Sequence, residues 1–289
     1  MAEAADVRGT KAAASEALSI PAALAIAGLD SSAGAGLTMD VKVFQSLGVF
    51  AAAVATAVTA QDTSGVRRLH LVPPNLVAAQ IDAAASDLRL SACKIGMLGR
   101  AHTLEVVEAR LRRRSIPLVV FDPVLAAKDG TPLLQARALV TLRRRLLERC
   151  TVVTPNAPEA ARILGIPVDT LEQARDAARR LVDLGAEYAL VKGGHLAGDE
   201  DRVTDVLFGQ GELLEFTGPR WEGPPVRGTG CMLSSALAAY LALGKGVPEA
   251  ARLAHDFVAR ALKESVPIGK GSWVAARLQT AEDRGLGVG

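Results

Sequence analysis

The segment Arg227-Gly228-Thr229-Gly230-Cys231 combines the residue types that hold an anion beside a base. Two glycines let backbone N–H groups crowd together, and a helix starting there leaves its first N–H groups without intrahelical partners. The small-residue run from Met232 to Tyr240 predicts that helix. A helix N-terminus carries partial positive charge and suits a phosphoryl group in transfer. Cys231 falls in the first helical turn, where a thiolate is favoured and can take a proton. The same residues also fit a plain glycine turn followed by a small buried thiol. The choice between chemistry and packing therefore rests on the rest of the chain.

Pro155-Asn156-Ala157-Pro158-Glu159 places an amide and a carboxylate three residues apart at a strand-to-helix corner. Residues at i and i+3 share a helix face, so both can address one Mg²⁺, directly or through its waters. Helix capping explains the same residues, with Asn156 as cap, Pro158 at the helix start and Glu159 in the first turn. The two roles are compatible. Lys192-Gly193-Gly194-His195 follows an apolar run, and an ammonium beside two glycines can approach nucleotide phosphates closely; a strand end with a turn accounts for it as well.

The loop from Gly28 to Gly36, with Asp30, Ser31 and Ser32, suits a hydroxymethyl group or a ring nitrogen. The chain has neither a Gly-x-Gly-x-x-Gly dinucleotide spacing nor a Gly-Lys-Ser/Thr phosphate loop. Any ATP is then held without a Walker lysine, which points back to 228–231 as the anion cradle. Gln61 ends an Ala/Val/Thr run; its carboxamide offers a donor and an acceptor side by side, the complement of an aminopyrimidine edge. His70, His102, His195 and His255 are scattered and make no metal pattern.

The elements that must position these residues alternate. Apolar strand patterns cover 22–27, 49–59, 92–95, 118–121, 151–154 and 188–191, and a hairpin covers 203–208 and 213–217. Helical spacing covers 37–47, 74–88, 101–114, 135–148, 157–164, 170–184, 230–243 and 247–265. This alternation predicts an α/β fold: a doubly wound, mainly parallel sheet between helix layers, as a single domain over 21–269. Residues 1–20 read as a frayed extension and 270–289 as a weakly patterned tail. Ligands of such sheets bind beyond the carboxyl ends of the strands. Asp30, Gln61, Asp122, Asn156 and Lys192 follow predicted strands and should converge on one edge.

Composition narrows the function classes. A net charge of +2 gives no reason to expect nucleic acid or an anionic membrane as partner, and the Arg112–Arg114 and Arg143–Arg145 clusters read as solvated helix faces. No apolar run approaches the ~20 residues that span a bilayer. The stretch 20–29 reads as a buried strand rather than part of a signal peptide, because Glu3, Asp6 and Glu16 precede it. Three widely spaced cysteines form neither a disulfide framework nor a metal motif, which makes the cytoplasm the expected location.

Assembled in order, these residues resemble the hydroxymethylpyrimidine/phosphomethylpyrimidine kinases of thiamine biosynthesis, within the ribokinase-like superfamily. The resemblance runs from about 24 to about 265. It is carried by the 28–36 loop, Thr59-Ala60-Gln61-Asp62-Thr63-Ser64-Gly65-Val66, Lys94-Ile95-Gly96-Met97-Leu98, the 122–130 segment, 154–160, 192–195 and Gly228-Thr229-Gly230-Cys231. It implies a ribokinase-like three-layer fold, ATP as co-substrate and Mg²⁺ as cofactor. The implied reaction phosphorylates the pyrimidine's hydroxymethyl group and then the monophosphate. It further implies that Gln61, Asp30 and Gly28 hold the ring, with Met97 and Val124 lining its pocket. Asn156 and Glu159 would serve the metal, and Lys192, Gly193 and Asn156 the ATP phosphates. Gly228, Thr229 and Gly230 would form the cradle, with Cys231 as base. A homodimer is the family expectation. The chain departs from the pattern at Ala33, where Gly is usual, at Met39, where Ala is usual, and at Arg227, where His is usual. A pyridoxal-type kinase is the alternative activity, and a non-catalytic pyrimidine-binding protein a further one.

Overall fold

In the computed structural model, residues 20–114, 116–126, 133–135, 138–198, 200–276 and 278 are described. Strand β1 (Ala22–Asp30) is buried along almost its whole length, as its unbroken apolar run requires of a strand covered on both faces. Around it lie β2 (Phe50–Gln61), β3 (Val66–Leu71), β4 (Leu90–Ile95), β5 (Val119–Phe121), β6 (Val152–Val153), β7 (Tyr188–Val191), β8 (Arg202–Gly209) and β9 (Glu212–Pro219). They form one nine-stranded sheet in the order β3-β2-β1-β4-β5-β6-β7-β8-β9. Strands β2 to β7, apart from β3, run parallel to β1, whereas β3, β8 and β9 pair antiparallel.

Helices cover both faces. Helix α1 (Gly36–Ser46), α7 (Thr229–Ala242) and α8 (Val247–Lys263) pack on the face that carries Ala23, Ala25 and Ala27. Helices α2 (Pro74–Asp87), α3 (Ala101–Arg114), α4 (Ala138–Thr141), α5 (Ala157–Leu164) and α6 (Leu171–Asp183) pack on the opposite face, over Leu24 and Ile26. Alanines at 236, 238 and 239 are fully buried, and small side chains on both sides bring α7 close to the central strands. Its N-terminus therefore stands at the strand ends.

Three local expectations need correction. Among the described residues, the helix expected over 135–148 is α-helical from Ala138 to Thr141; a π turn (Leu142–Leu146) and a 3₁₀ turn (Leu147–Arg149) follow. The wider π repeat keeps Leu142, Leu146 and Leu147 on one buried face. Strand β3 had no predicted counterpart: Arg67, Arg68 and His70 are exposed on this edge, so apolar alternation is weak. Finally, β10 (Val226–Arg227) pairs parallel with β11 (Trp273–Val274), and Val274 and Ala275 are buried. The folded chain thus continues beyond the boundary expected at 269. Residues 1–19, 279–289 and the 127–132 part of the 122–130 motif lie outside the described residues. Among the described residues no helix is long and apolar enough to cross a membrane.

Candidate active site

The carboxyl ends of the parallel strands carry Asp30, Gln61, Gly96-Met97, Asp122, Asn156 and Lys192, as the alternation required. Beside them α7 begins. Its N-cap Gly228 is left-handed (φ +75°), and a side chain there would run into the Gly34 carbonyl, so only glycine closes this turn. The helix starts with Met232 N–H donating to Gly228 O at 2.8 Å, and no side chain caps it. The N–H groups of Thr229, Gly230 and Cys231 therefore sit in an uncapped first turn, the arrangement that receives an anion.

A cation and two carboxylates stand against that turn. Lys192 Nζ donates to Asp122 Oδ1 at 2.7 Å and lies 4.0 Å from Glu159 Oε2. A Cβ added at Gly230 would lie 3.3 Å from Lys192 Nζ, so this glycine brings the cradle to the ammonium. Ser234 Oγ, one turn into α7, donates to Asp122 Oδ2 at 3.3 Å. Burial pushes the Glu159 carboxyl up to about 7; Lys192 opposes the shift and Asp122 adds to it. Two carboxylates facing one ammonium leave surplus negative charge.

Asn156 and Glu159 form a capping box at α5. Glu159 N–H donates to Asn156 Oδ1 and Asn156 N–H donates to Glu159 Oε2, each at 2.8 Å. The capping role is thus observed, and it aims Glu159 at Lys192. Gly193 is committed elsewhere: its N–H donates to Asp205 Oδ1 at 2.8 Å, and a side chain there would strike the Thr204 carbonyl. It therefore supports the Lys192 turn and has no N–H left for a phosphate. Asp205 Oδ2 in turn lies 2.8 Å from His255 Nδ1.

The surroundings of Cys231 favour the neutral thiol. Burial raises the thiol to about 11; Lys94 and the Gly36 N–H oppose this without cancelling it. The main opposing cation is Lys94, which sits near the carboxyl end of β4 and is fully buried. Lys94 Nζ donates to both Asp40 oxygens at 2.8 and 2.9 Å, and Ser235 Oγ donates to Asp40 Oδ1 at 2.7 Å. Ser235 lies one turn below Cys231 on α7. A lysine inside the apolar run Ser91-Ala92-Cys93-Lys94-Ile95 was the one sequence signal for this cluster.

The ring-binding candidates Gln61 and Asp30 meet each other. Gln61 Nε2 donates to Asp30 Oδ2 and Thr59 Oγ donates to Gln61 Oε1, both at 3.2 Å. One N–H and one lone pair of the amide remain for a ligand. Asp30 Oδ1 accepts from the N–H and hydroxyl of Ser32 at 2.8 and 2.7 Å. Gly28 faces Met97, whose sulfur would lie 3.1 Å from an added Cβ. Val124 lines a small apolar cavity with Gly96 and Leu98, the neighbours of Met97. Arg227 points to this group rather than to Cys231, with Nη1 donating to Asp62 O at 3.2 Å and Nη2 lying 3.9 Å from Asp30 Oδ2.

The donor set suits Mg²⁺. Among the described residues no group of three or more His, Cys, Asp or Glu side chains could hold a metal by itself. Mg²⁺ needs no such cage: one or two carboxylates with phosphate oxygens and water suffice. Glu159 and Asp122, with their surplus charge, provide that.

Comparisons with known proteins bear on the family of the chain. The family model described as phosphomethylpyrimidine kinase matches residues 30–275. The hydroxymethylpyrimidine/phosphomethylpyrimidine kinase of Haemophilus influenzae is 39% identical over 262 residues, covering 88% of this chain and 97% of the relative. The crystal structure of a phosphomethylpyrimidine kinase from Clostridium difficile superposes with a TM-score of 0.74 at 33% identity, covering 83% of this chain and 99% of that one. An ADP complex of Bacillus subtilis pyridoxal kinase superposes with a TM-score of 0.82 at 31% identity, covering 89% and 97%.

Proposed function

The chain belongs to the phosphomethylpyrimidine kinase family, and we infer that it phosphorylates 4-amino-5-hydroxymethyl-2-methylpyrimidine and then its monophosphate, using ATP, in thiamine biosynthesis. The observation that carries this reading is the meeting of two half-sites at one sheet edge. The uncapped α7 turn with Lys192 and Asp122 suits phosphates, and Gln61 with Asp30 suits an aminopyrimidine edge.

In-line phosphoryl transfer depends on positioning and charge stabilisation more than on covalent chemistry. The N–H groups of Thr229, Gly230 and Cys231 stabilise charge on the transferring group, and Lys192 neutralises phosphate oxygens from the side of Gly230. Mg²⁺, when bound by Glu159 and Asp122 with Asn156 behind them, supplies further charge neutralisation on the phosphates. Gln61 and Asp30 orient the ring, and Gly28 and Met97 shape its pocket. Cys231 is the proposed base. With its thiol at about 11, only a small thiolate fraction exists near neutrality, so the rate gains with rising pH. The protein is proposed to work as a cytoplasmic homodimer.

A pyridoxal-type kinase is the second reading, favoured by the TM-score of 0.82 to a pyridoxal kinase. Purified protein incubated with ATP, with and without Mg²⁺, and with each alcohol separates the two by product mass. The proposal requires mono- and diphosphorylated pyrimidine, formed only with Mg²⁺. Phosphorylation of pyridoxal alone would replace it.

A further inference from the structure

Arg227 is tied to the ring-recognition loop at three points. Its aliphatic stem lies against Gly34, where an added Cβ would come within 3.5 Å of Cδ. Nη1 holds the Asp62 carbonyl and Nη2 faces Asp30 Oδ2, while Nε is buried without a hydrogen-bond partner among the described residues. Asp30 is itself 3% exposed, and Arg227 is its only recorded cationic partner among the described residues. The same Asp30 oxygen accepts from the Gln61 amide, whose own carbonyl accepts from Thr59. The five residues thus form one line: Thr59, Gln61, Asp30, Arg227 and the backbone of Asp62. Next to it, the C-terminal segment clamps the following residue: Gly271 N–H donates to Thr63 Oγ at 3.0 Å and Ser272 N–H to Thr63 O at 2.9 Å. Arg227 and Val274 are register partners in the small sheet, so the arginine is anchored from behind.

We infer that Arg227 is a positioning residue that sets ring recognition by holding the Asp30 carboxylate and, through it, the Gln61 carboxamide in the orientation that faces the substrate. This rests on the reading of the site as one for a heteroaromatic alcohol. A buried carboxylate left without its cation must find new partners. With the guanidinium gone, Asp30 keeps Ser32 and the Gln61 amide as its partners, and its shift toward them carries the amide off the ring edge. The phosphate half-site, built on Lys192 and the α7 turn, does not contact the guanidinium and is untouched.

The test compares Arg227→Met, which keeps the stem and removes the charge, with Arg227→Lys, which keeps a cation. Steady-state kinetics are measured on whichever alcohol the wild type phosphorylates, together with a thermal melt of each variant. Arg227→Met should raise KM for the alcohol about tenfold, as expected for the loss of one well-placed polar contact. Its kcat and its KM for ATP should stay within about twofold of wild type, and Arg227→Lys should recover part of the alcohol KM. An unchanged alcohol KM overturns the inference, and so does a rise confined to KM for ATP. If Arg227→Met does not fold, Arg227→Gln, which also removes the charge, takes its place, and an unchanged alcohol KM in that variant overturns the inference. A wild type that accepts only the pyridine alcohol displaces the proposed substrate and leaves the Arg227 comparison intact.

Discussion

A thiol at a helix N-terminus gains ~0.3–1 kcal/mol toward ionisation, and burial costs Cys231 more than that, which leaves it at about 11. Below its pKa the thiolate fraction grows tenfold per pH unit. Alkylation of Cys231 by iodoacetamide should therefore accelerate about tenfold per unit from about pH 7 to about pH 9. Cys93 and Cys150 are fully buried, with thiols pushed up by that burial, and stay unmodified in the native protein. A rate that levels off before pH 8 would reveal a thiolate already formed. Cys231→Ser should slow phosphorylation by ~10²–10⁴-fold, the usual cost of removing a positioned base. At Ala33 the question is backbone strain. Its φ is +57°, with its N–H on Asp30 O and Lys42 on its carbonyl. A left-handed conformation costs an L-residue ~1–2 kcal/mol, and glycine loses ~0.5–1 kcal/mol more entropy on folding. Ala33→Gly should stabilise by about 1 kcal/mol or less, read as a rise in the denaturation midpoint. A lower midpoint would refute the strain argument.

At the scale of elements, the Lys192 turn depends on α8 as well as on its own strand. Asp205 of β8 accepts Gly193 N–H on one oxygen and faces His255 of α8 with the other. The Asp205 hydrogen bond raises the His255 pKa above its ordinary value, against the opposing effect of burial. A histidine with a raised folded pKa contributes stability that is fully present below the unfolded value, ~6.5, and is lost as pH rises through the folded value. The melting temperature should therefore fall as pH rises from about 6.5 through that higher value, and His255→Gln should flatten this dependence. An equal slope in both proteins would assign it to other groups. The π turn after α4 belongs to the same scale, since it bends a local pattern to keep Leu142 and Leu146 buried.

At the scale of the whole molecule, the ion pair between Lys94 and Asp40 joins β4 to α1, and Ser235 adds α7. Three elements far apart in the chain are thereby fixed beneath Cys231. Burial works against the Lys94 charge, but Asp40 at hydrogen-bond distance outweighs it and keeps the ammonium protonated. Lys94→Met leaves Asp40 buried and uncompensated, which should cost ~3–5 kcal/mol. The double variant Lys94→Met with Asp40→Leu should recover most of that loss in a denaturant titration. Recovery of less than half would mean that the pair contributes more than mutual neutralisation.

What the sequence by itself determined is the part carried by local periodicity. Strands and helices alternate, Ala-rich runs mark the covered strands, and the carboxyl-end rule brings Asp30, Gln61, Asp122, Asn156 and Lys192 to one edge. The capping box was legible because its partners lie three residues apart. What only the tertiary structure decided depends on distance in the chain. Lys94 meets Asp40 across 54 positions and Arg227 meets Asp62 across 165, and no local pattern encodes either contact. Two-residue strands such as β10 and β11 carry no periodicity, so the pairing that anchors Arg227 could not be read. The protonation of Cys231 belongs to the same class. A sequence names the helix that favours a thiolate, but burial opposes it more strongly, and burial exists only once the chain has folded around the thiol.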